Sequence, residues 1–294
     1  EPFWNIRNTQ TFLFATYTTL VKPNSFTGLA FELNNQTTYT NLWSTYTEFG
    51  IKPLGYNDYY EPRVWGWYYH RPWSYNEQFN VGTDQRKMFR MQTIFGLINA
   101  PDNQNFNYWF GVVPRFRFTD RFTVSFTFQY DMNYNDRGWV NTVYSEDSEP
   151  VIWFGRRDVS TFNNILNLKY IFNTKASVTL RVRHYWSAAK YLDFYTLNTD
   201  GSLSPGHYDQ DADISFNAFT ADLQFVWYFA PGSELSVVWK NNITAADDRF
   251  GISYWDDLGN TLNSPQSNSF SVRALYYLDY LYLKKWFGKK KPVL

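Results

Sequence analysis

The chain has 294 residues, with 27 basic and 27 acidic side chains and a formal net charge of zero, which removes any global electrostatic case for nucleic acid. It contains no cysteine, so disulfides, thiolate catalysis and thiolate metal sites are excluded. Aromatic residues make up 22% of the chain, yet its mean hydropathy is negative and no run nears the roughly 20 apolar residues of a spanning helix.

Taken in chain order, the first strands are read at 10–20, 26–35 and 42–51. Residues 56–75 then hold nine aromatics, Tyr56, Tyr59, Tyr60, Trp65, Trp67, Tyr68, Tyr69, Trp73 and Tyr75, with a strand read at 64–70. Exposed rings of this density could form a sugar-stacking platform. An interfacial girdle is the plainer reading, because Trp and Tyr prefer the membrane boundary. Strands follow at 75–84, 88–98 and 106–118, the last interrupted by Pro114, which cannot donate to a ladder and marks a bulge or break.

Residues 122–134 carry the clearest pattern. Phe122, Val124, Phe126, Phe128, Tyr130, Met132 and Tyr134 alternate with Thr123, Ser125, Thr127, Gln129, Asp131 and Asn133. A strand turns successive side chains to opposite faces, so this run has one apolar and one polar face. Its 13 residues exceed the usual 5–6 of a soluble strand and suffice to cross a bilayer when tilted, which takes roughly 9–11. The pattern recurs at 160–172, 175–187, 219–229, 234–243 and 270–282. These thirteen strands predict an all-β, transmembrane antiparallel up-and-down β-barrel of the bacterial outer membrane, in contact with outer-membrane lipid and with other envelope proteins as candidate partners.

Short turns are expected at Lys22–Ser25, Thr83–Arg86, Thr119–Arg121, Asn173–Lys175 and Pro231–Ser233, and longer links at 99–105, 135–158, 188–213 and 245–268. Outer-membrane barrels have short periplasmic turns and long extracellular loops, so this alternation assigns the two sides. It leaves 284–294 as a basic periplasmic tail. The start at Glu1, without initiator Met or signal peptide, is read as a mature or truncated product. An even strand number is usual, so thirteen implies a missed strand, most simply upstream. Residues 1–294 are otherwise read as one barrel domain.

Three stretches are more particular than generic barrel sequence: Phe154 to Trp186, Gly82 to Lys87, and Asn268 to Lys284. Together they resemble the C-terminal barrel of a family of Gram-negative outer-membrane proteins of unknown function. The resemblance covers 75–285. Members of that family often carry a carbohydrate-binding-like β-sandwich before the barrel, which this chain lacks. The resemblance implies location, architecture and a tilt toward glycan-related biology, and it transfers no catalytic residue.

The polar faces define the lumen-lining candidates. These are Arg90, Arg115, Arg117, Lys169, Arg181, Arg183, Lys240 and Arg273, with Asp131, Asp222, Glu234 and Asp279 facing the same way. A cationic lumen would select anionic or polar solutes. Cross-strand ion pairs bracing the barrel are the plainer reading, because both signs occur. Trp65, Trp67, Trp186, Trp227, Trp239, Tyr280 and Tyr282 are the membrane-interface candidates.

Asp209, Asp211 and Asp213 open like a calcium loop, but Ile214 and Thr220 stand where an EF-hand needs Gly and Glu. No cofactor or metal is expected. His184, near Trp186, could serve a rim lipid hydrolase only with a Ser or Asp in reach. No nucleophile elbow, HExxH or paired-carboxylate spacing supports hydrolysis, so no enzyme activity is expected. Arg156, Arg157 and Asp158 are read as a loop clasp built on Arg–Asp pairing. The functional expectation is a pore for polar solutes, glycan-derived ones among the candidates, with an occluded scaffold barrel as the alternative.

Overall fold

A computed structural model describes residues 5–22, 24–145, 148–247, 258–259, 261–278, 280–281 and 284. The described residues form one antiparallel sheet of 15 strands. They are β1 (Ile6–Leu20), β2 (Ser25–Tyr39), β3 (Ser44–Lys52), β4 (Tyr56–Asp58), β5 (Tyr69–Arg71), β6 (Ser74–Gly82), β7 (Phe89–Ala100) and β8 (Asn105–Arg117). The rest are β9 (Phe122–Ser145), β10 (Ser148–Asn173), β11 (Ala176–Leu197), β12 (Leu203–Gly206), β13 (Ile214–Ala230), β14 (Ser233–Asp247) and β15 (Gln266–Leu275). Leaving out the short β4, β5 and β12, the other twelve make an up-and-down meander in which each pairs with its sequence neighbour. This is the all-β, up-and-down antiparallel class expected from the alternation. The terminal strands β1 and β15 are exposed on both faces almost throughout.

The meander has a turn end and a loop end. Tight connections at 40–43, 83–88, 118–121, 174–175 and 231–232 occupy the first; 53–73 and 198–213 occupy the second. The β1–β2 turn, expected among the short turns of one side, lies at the loop end. The cause is the expected strand at 64–70. Only Tyr69–Arg71 of that region is extended, and counting it as a full crossing inverts the parity of everything before it.

The expected link at 99–105 is also short: a single 3-10 turn at Pro101–Asn103, closed by left-handed Gln104 (φ 53). The expected links at 135–158 and 188–213 are largely strand. β9, β10 and β11 run 24, 26 and 22 residues and rise past their neighbours at the loop end. A bulge sits where Asn135 takes φ 54 and the β9–β10 register shifts between Arg157 and Val159. A bulge adds one residue and so swaps the faces beyond it. That phase change makes a continuous strand read as irregular sequence.

Pro114 makes no bulge and β8 runs on through it, but it marks a local break in one ladder. It pairs with Met91 on one side and leaves a gap in the ladder to β9 on the other, without a register shift. The expected strand 270–282 ends at Leu275. Asp279 and Tyr282 lie outside the described residues.

Rings cover the apolar face in two bands. Toward the turn end, Phe116, Phe118, Phe122, Tyr170 and Phe172 follow one another at centroid distances of 5.0–6.3 Å. The second band is a cross-strand row, Phe79, Phe95, Phe110, Tyr130, Phe162 and Trp186, in direct register. On β9 the bands are eight residues apart, from Phe122 to Tyr130, or about 26 Å at about 3.3 Å per residue. Tilted strands bring that close to the roughly 25 Å apolar belt of an outer-membrane barrel.

Candidate functional site

Register brings the polar faces of eight strands into one line. Arg90, Arg115, Ser125, Asn167, Arg181, Asp222, Lys240 and Ser269 are successive direct partners from β7 to β15. The adjacent line, one step toward the turn end, adds Arg117, Thr123, Lys169 and Thr179. Six cations and one carboxylate therefore share two neighbouring rows. None of the ion pairs within 4.0 Å among the described residues joins them. Arg115, Arg117, Lys169, Arg181 and Lys240 are solvent-exposed. Part of this surface forms a cavity of about 660 Å³ reaching from Arg115 on β8 to Lys240 on β14, so the polar face is the hollow side of the sheet.

The remaining lumen candidates sit elsewhere. Asp131 lies toward the loop end and accepts a hydrogen bond from Asn107 Nδ2 at 3.3 Å. Arg183 donates from Nε to Asn163 Oδ1 at 2.9 Å, and Asn163 donates in turn to Gln129 Oε1 at 2.8 Å. Arg273 is exposed opposite Ser236, and Glu234 stands beside the β13–β14 turn opposite Leu275. The mixture of signs in the candidate set is thus spread along the strands, and the acids do not neutralise the cationic rows.

A second assembly lies at the loop end. Gly55 (φ 64) kinks the chain after β3, where a Cβ would collide with the Arg71 carbonyl, and β4 and β5 continue as a bent extension of the β3–β6 hairpin. Its loop reaches strands well removed in the meander. Tyr69 packs at 5.2 Å from the Phe154 ring, His70 N donates to Gly201 O at 2.9 Å, and Glu61 Oε1 accepts from Trp139 N at 2.8 Å. Such contacts require the hairpin to cross the hollow. A small core of Tyr69, Ile152, Phe154 and Leu197 anchors it, with Val64, Trp67 and Trp139 packed around.

Charge closes the same contact. Arg71 Nε donates to Asp58 Oδ2 at 3.1 Å and its Nη1 lies 3.6 Å from Asp136 Oδ1. Arg157 Nη2 meets Asp136 Oδ2 at 3.0 Å and its Nη1 donates to Tyr191 OH at 3.0 Å. Gly138 lets these groups meet, since a Cβ there would strike the Arg157 guanidinium and the Glu61 carboxylate. Burial works against the charge of Arg71, and Tyr56, Asp136 and Asp58 outweigh it, so its pKa is raised. Burial also pushes the Tyr69 phenol upward. The Arg156–Asp158 stretch does pair, but across strands. Arg156 bonds Asp193, and Asp158 Oδ1 accepts Asn135 N at 2.8 Å, pinning the bulge.

Of the interface aromatics, Trp186 lies 5.5 Å from Phe162, Trp227 5.6 Å from Phe229 and Trp239 6.4 Å from Phe270. Trp65 and Trp67 are not on a strand face. Trp65 projects from the bridging loop, 87% exposed, and Trp67 packs against the hairpin core. Tyr280 is exposed. His184 is buried with Nε2 at 3.2 Å from Asn217 Oδ1. Asp213 Oδ1 accepts Tyr191 N at 2.6 Å and Asp211 Oδ1 accepts Asp213 N at 3.0 Å. Among the described residues no three such groups converge as metal ligands. The crossing hairpin and the continuity of the cationic row were missed in the sequence. The glycine–aromatic run at 55–69 was the available signal for the first, and the second needs the register.

The fold is similar to that of a solved structure of the copper transporter OprC. The likeness has a TM-score of 0.54 at 11% sequence identity, and it covers 93% of this chain but only 42% of that one. This chain therefore spans less than half the length of the structure it matches, and at this identity the likeness speaks for the fold alone. No curated protein is similar enough to count as a relative. The sequence model of DUF5916, a domain of unknown function, matches residues 1–287, nearly the whole chain, and the chain belongs to that family.

Proposed function

We propose that this chain forms an outer-membrane barrel wall whose hollow side conducts polar solutes, with preference for those carrying negative charge. The observation that carries the reading is the row of Arg90, Arg115, Arg181 and Lys240, of which Arg115, Arg181 and Lys240 are exposed, opposed by the single carboxylate Asp222. Cations left unpaired in water lower the energy of an anion entering beside them, which is how charged side chains set selectivity in pores. Ser125, Asn167 and Thr179 between them offer hydrogen bonds to hydroxyl groups, which suits glycan-derived solutes bearing acidic groups. The aromatic bands on the other face fit lipid, and Val124, Leu168 and Phe116 between strands keep that face apolar.

One observation favours a second reading. The 56–71 hairpin crosses the hollow and is held by salt bridges and a small core, as an occluded scaffold barrel would require. Single-channel recording of the purified protein in planar bilayers separates the two. Steady conductance that falls when Arg115 and Arg181 are neutralised supports the pore. Silence from protein shown to be folded would support the scaffold.

A further inference from the structure

The cations of the hollow side do not form a level ring. Arg115, Ser125, Asn167, Arg181, Asp222 and Lys240 are direct partners on neighbouring strands, so the line through them runs perpendicular to the strands. From β8 to β14 it crosses five strand-to-strand steps of about 4.8 Å, or about 24 Å in all. Strands of an outer-membrane barrel tilt by roughly 35–45°, so a line perpendicular to them climbs about 15 Å along the barrel axis over that length. That climb is more than half of the roughly 25 Å apolar belt.

The charges along this line are spaced closely enough for a chain. In the gap between Arg115 and Arg181, Lys169 stands beside the line on β10, directly opposite Thr123 and Thr179. Successive Cα positions from Arg115 through Lys169 and Arg181 to Lys240 are then no more than about 12 Å apart, at about 4.8 Å per strand and about 3.3 Å per residue. All four cations are exposed and stand outside every ion pair among the described residues. Asp222 opposes both Arg181 and Lys240 in register, yet forms an ion pair within 4.0 Å with neither.

We propose that this line is a ladder for an extended polyanion, one flexible chain carrying several acidic groups. The inference deepens the anion-conducting reading above and rests on it. A small anion gains from one rung at a time. A chain that spans neighbouring rungs engages the next cation before it leaves the last, because its second contact is intramolecular and has a high effective concentration. The climb turns those successive contacts into movement along the axis. Asp222 is the repulsive rung, and it weakens the hold, since a conducted solute must bind loosely enough to leave.

The test is calorimetric titration of the full chain, folded in detergent at low salt, where exposed charges are least screened. The probes are galacturonate and its linear dimer, trimer and tetramer, with maltotetraose as the neutral control. Affinity should rise with each added acidic group, the tetramer binding at least about thirtyfold tighter than the monomer. Arg181→Gln and Lys240→Gln should each weaken the tetramer at least fivefold and change the monomer far less, whereas Asp222→Asn should tighten the tetramer. The ladder would be overturned by a tetramer no tighter than the monomer, or by maltotetraose binding as well as the tetramer. Unchanged tetramer affinity in both cation variants, or weaker binding in Asp222→Asn, would overturn it equally. No current is read here. A null titration beside an anion-preferring current therefore fails the ladder alone, and a chain-length gain without anion preference in bilayers fails the pore reading alone.

Discussion

Arg181 and Arg157 sit on neighbouring strands of the same sheet, and their surroundings differ completely. Arg181 lies in the hollow, exposed, opposite Asn167 and Asp222 and outside every ion pair among the described residues. Arg157 lies at the loop end, mostly buried, clamped by Asp136 and the Tyr191 hydroxyl. A charge left in water costs little and remains available to a passing ion. A buried charge must be paired, and removing its partner is far more costly than the pair is worth. The same side chain is therefore a solute-facing group in one region and a fastening in the other.

The comparison can be broken most sharply at the fastening. Asp136→Ala leaves both Arg71 and Arg157 short of a carboxylate, and about 3–5 kcal/mol of stability should be lost in a chemical-denaturation series. If Asp136→Ala unfolds like wild type, the loop-end network is not structural. Next in size is the apolar face. Val124→Arg, between Leu168 and Phe116, should cost about 2–4 kcal/mol in a membrane-folding assay. Ser125→Arg one residue on faces the hollow and should be tolerated; equal tolerance at both positions would sink the assignment of faces.

Smaller still is the stability effect in the cationic row. Arg115→Gln and Arg181→Gln should each shift stability by no more than about 0.5 kcal/mol, because exposed groups outside such networks contribute little. A loss comparable to that of Asp136→Ala would mean the row is bracing the barrel after all.

The least effect belongs to the turn end, where Asp84 accepts two hydrogen bonds from the Arg86 guanidinium and one from the Arg86 amide. Arg86 holds its carboxyl down to about 2. A depressed acid stabilises the fold above its unfolded pKa of about 3.9 and loses that contribution as pH falls through its folded value. Asp84→Asn should therefore flatten the stability profile between about pH 4 and pH 2, and an unchanged profile would assign the slope to other groups.

How much of this was legible in the sequence depended on phase. Phe122 to Tyr134 alternates without interruption, so strand and faces could be read directly. Past Asn135 the bulge swaps the faces, and the extension to Ser145 looked like a loop. The cations could be placed on the right face but not in a row, because adjacency across strands is set by register. Asp131 illustrates the point: it lies six residues, or about 20 Å, along β9 from Ser125, too far to neutralise the row that Ser125 joins. The aromatics of 56–75 were read as a girdle because composition cannot distinguish rings facing lipid from rings anchoring a hairpin across the hollow. Gly55 and Gly66, both at positive φ, mark the turns that make the second arrangement possible.

The most direct test of the account is the reversal potential in planar bilayers under a salt gradient, for wild type and for a triple variant carrying Arg115→Glu, Arg181→Glu and Lys240→Glu. The account predicts anion preference in wild type and its inversion to cation preference in the triple variant. A conducting wild type without anion preference, or one whose preference survives the triple reversal, would contradict it.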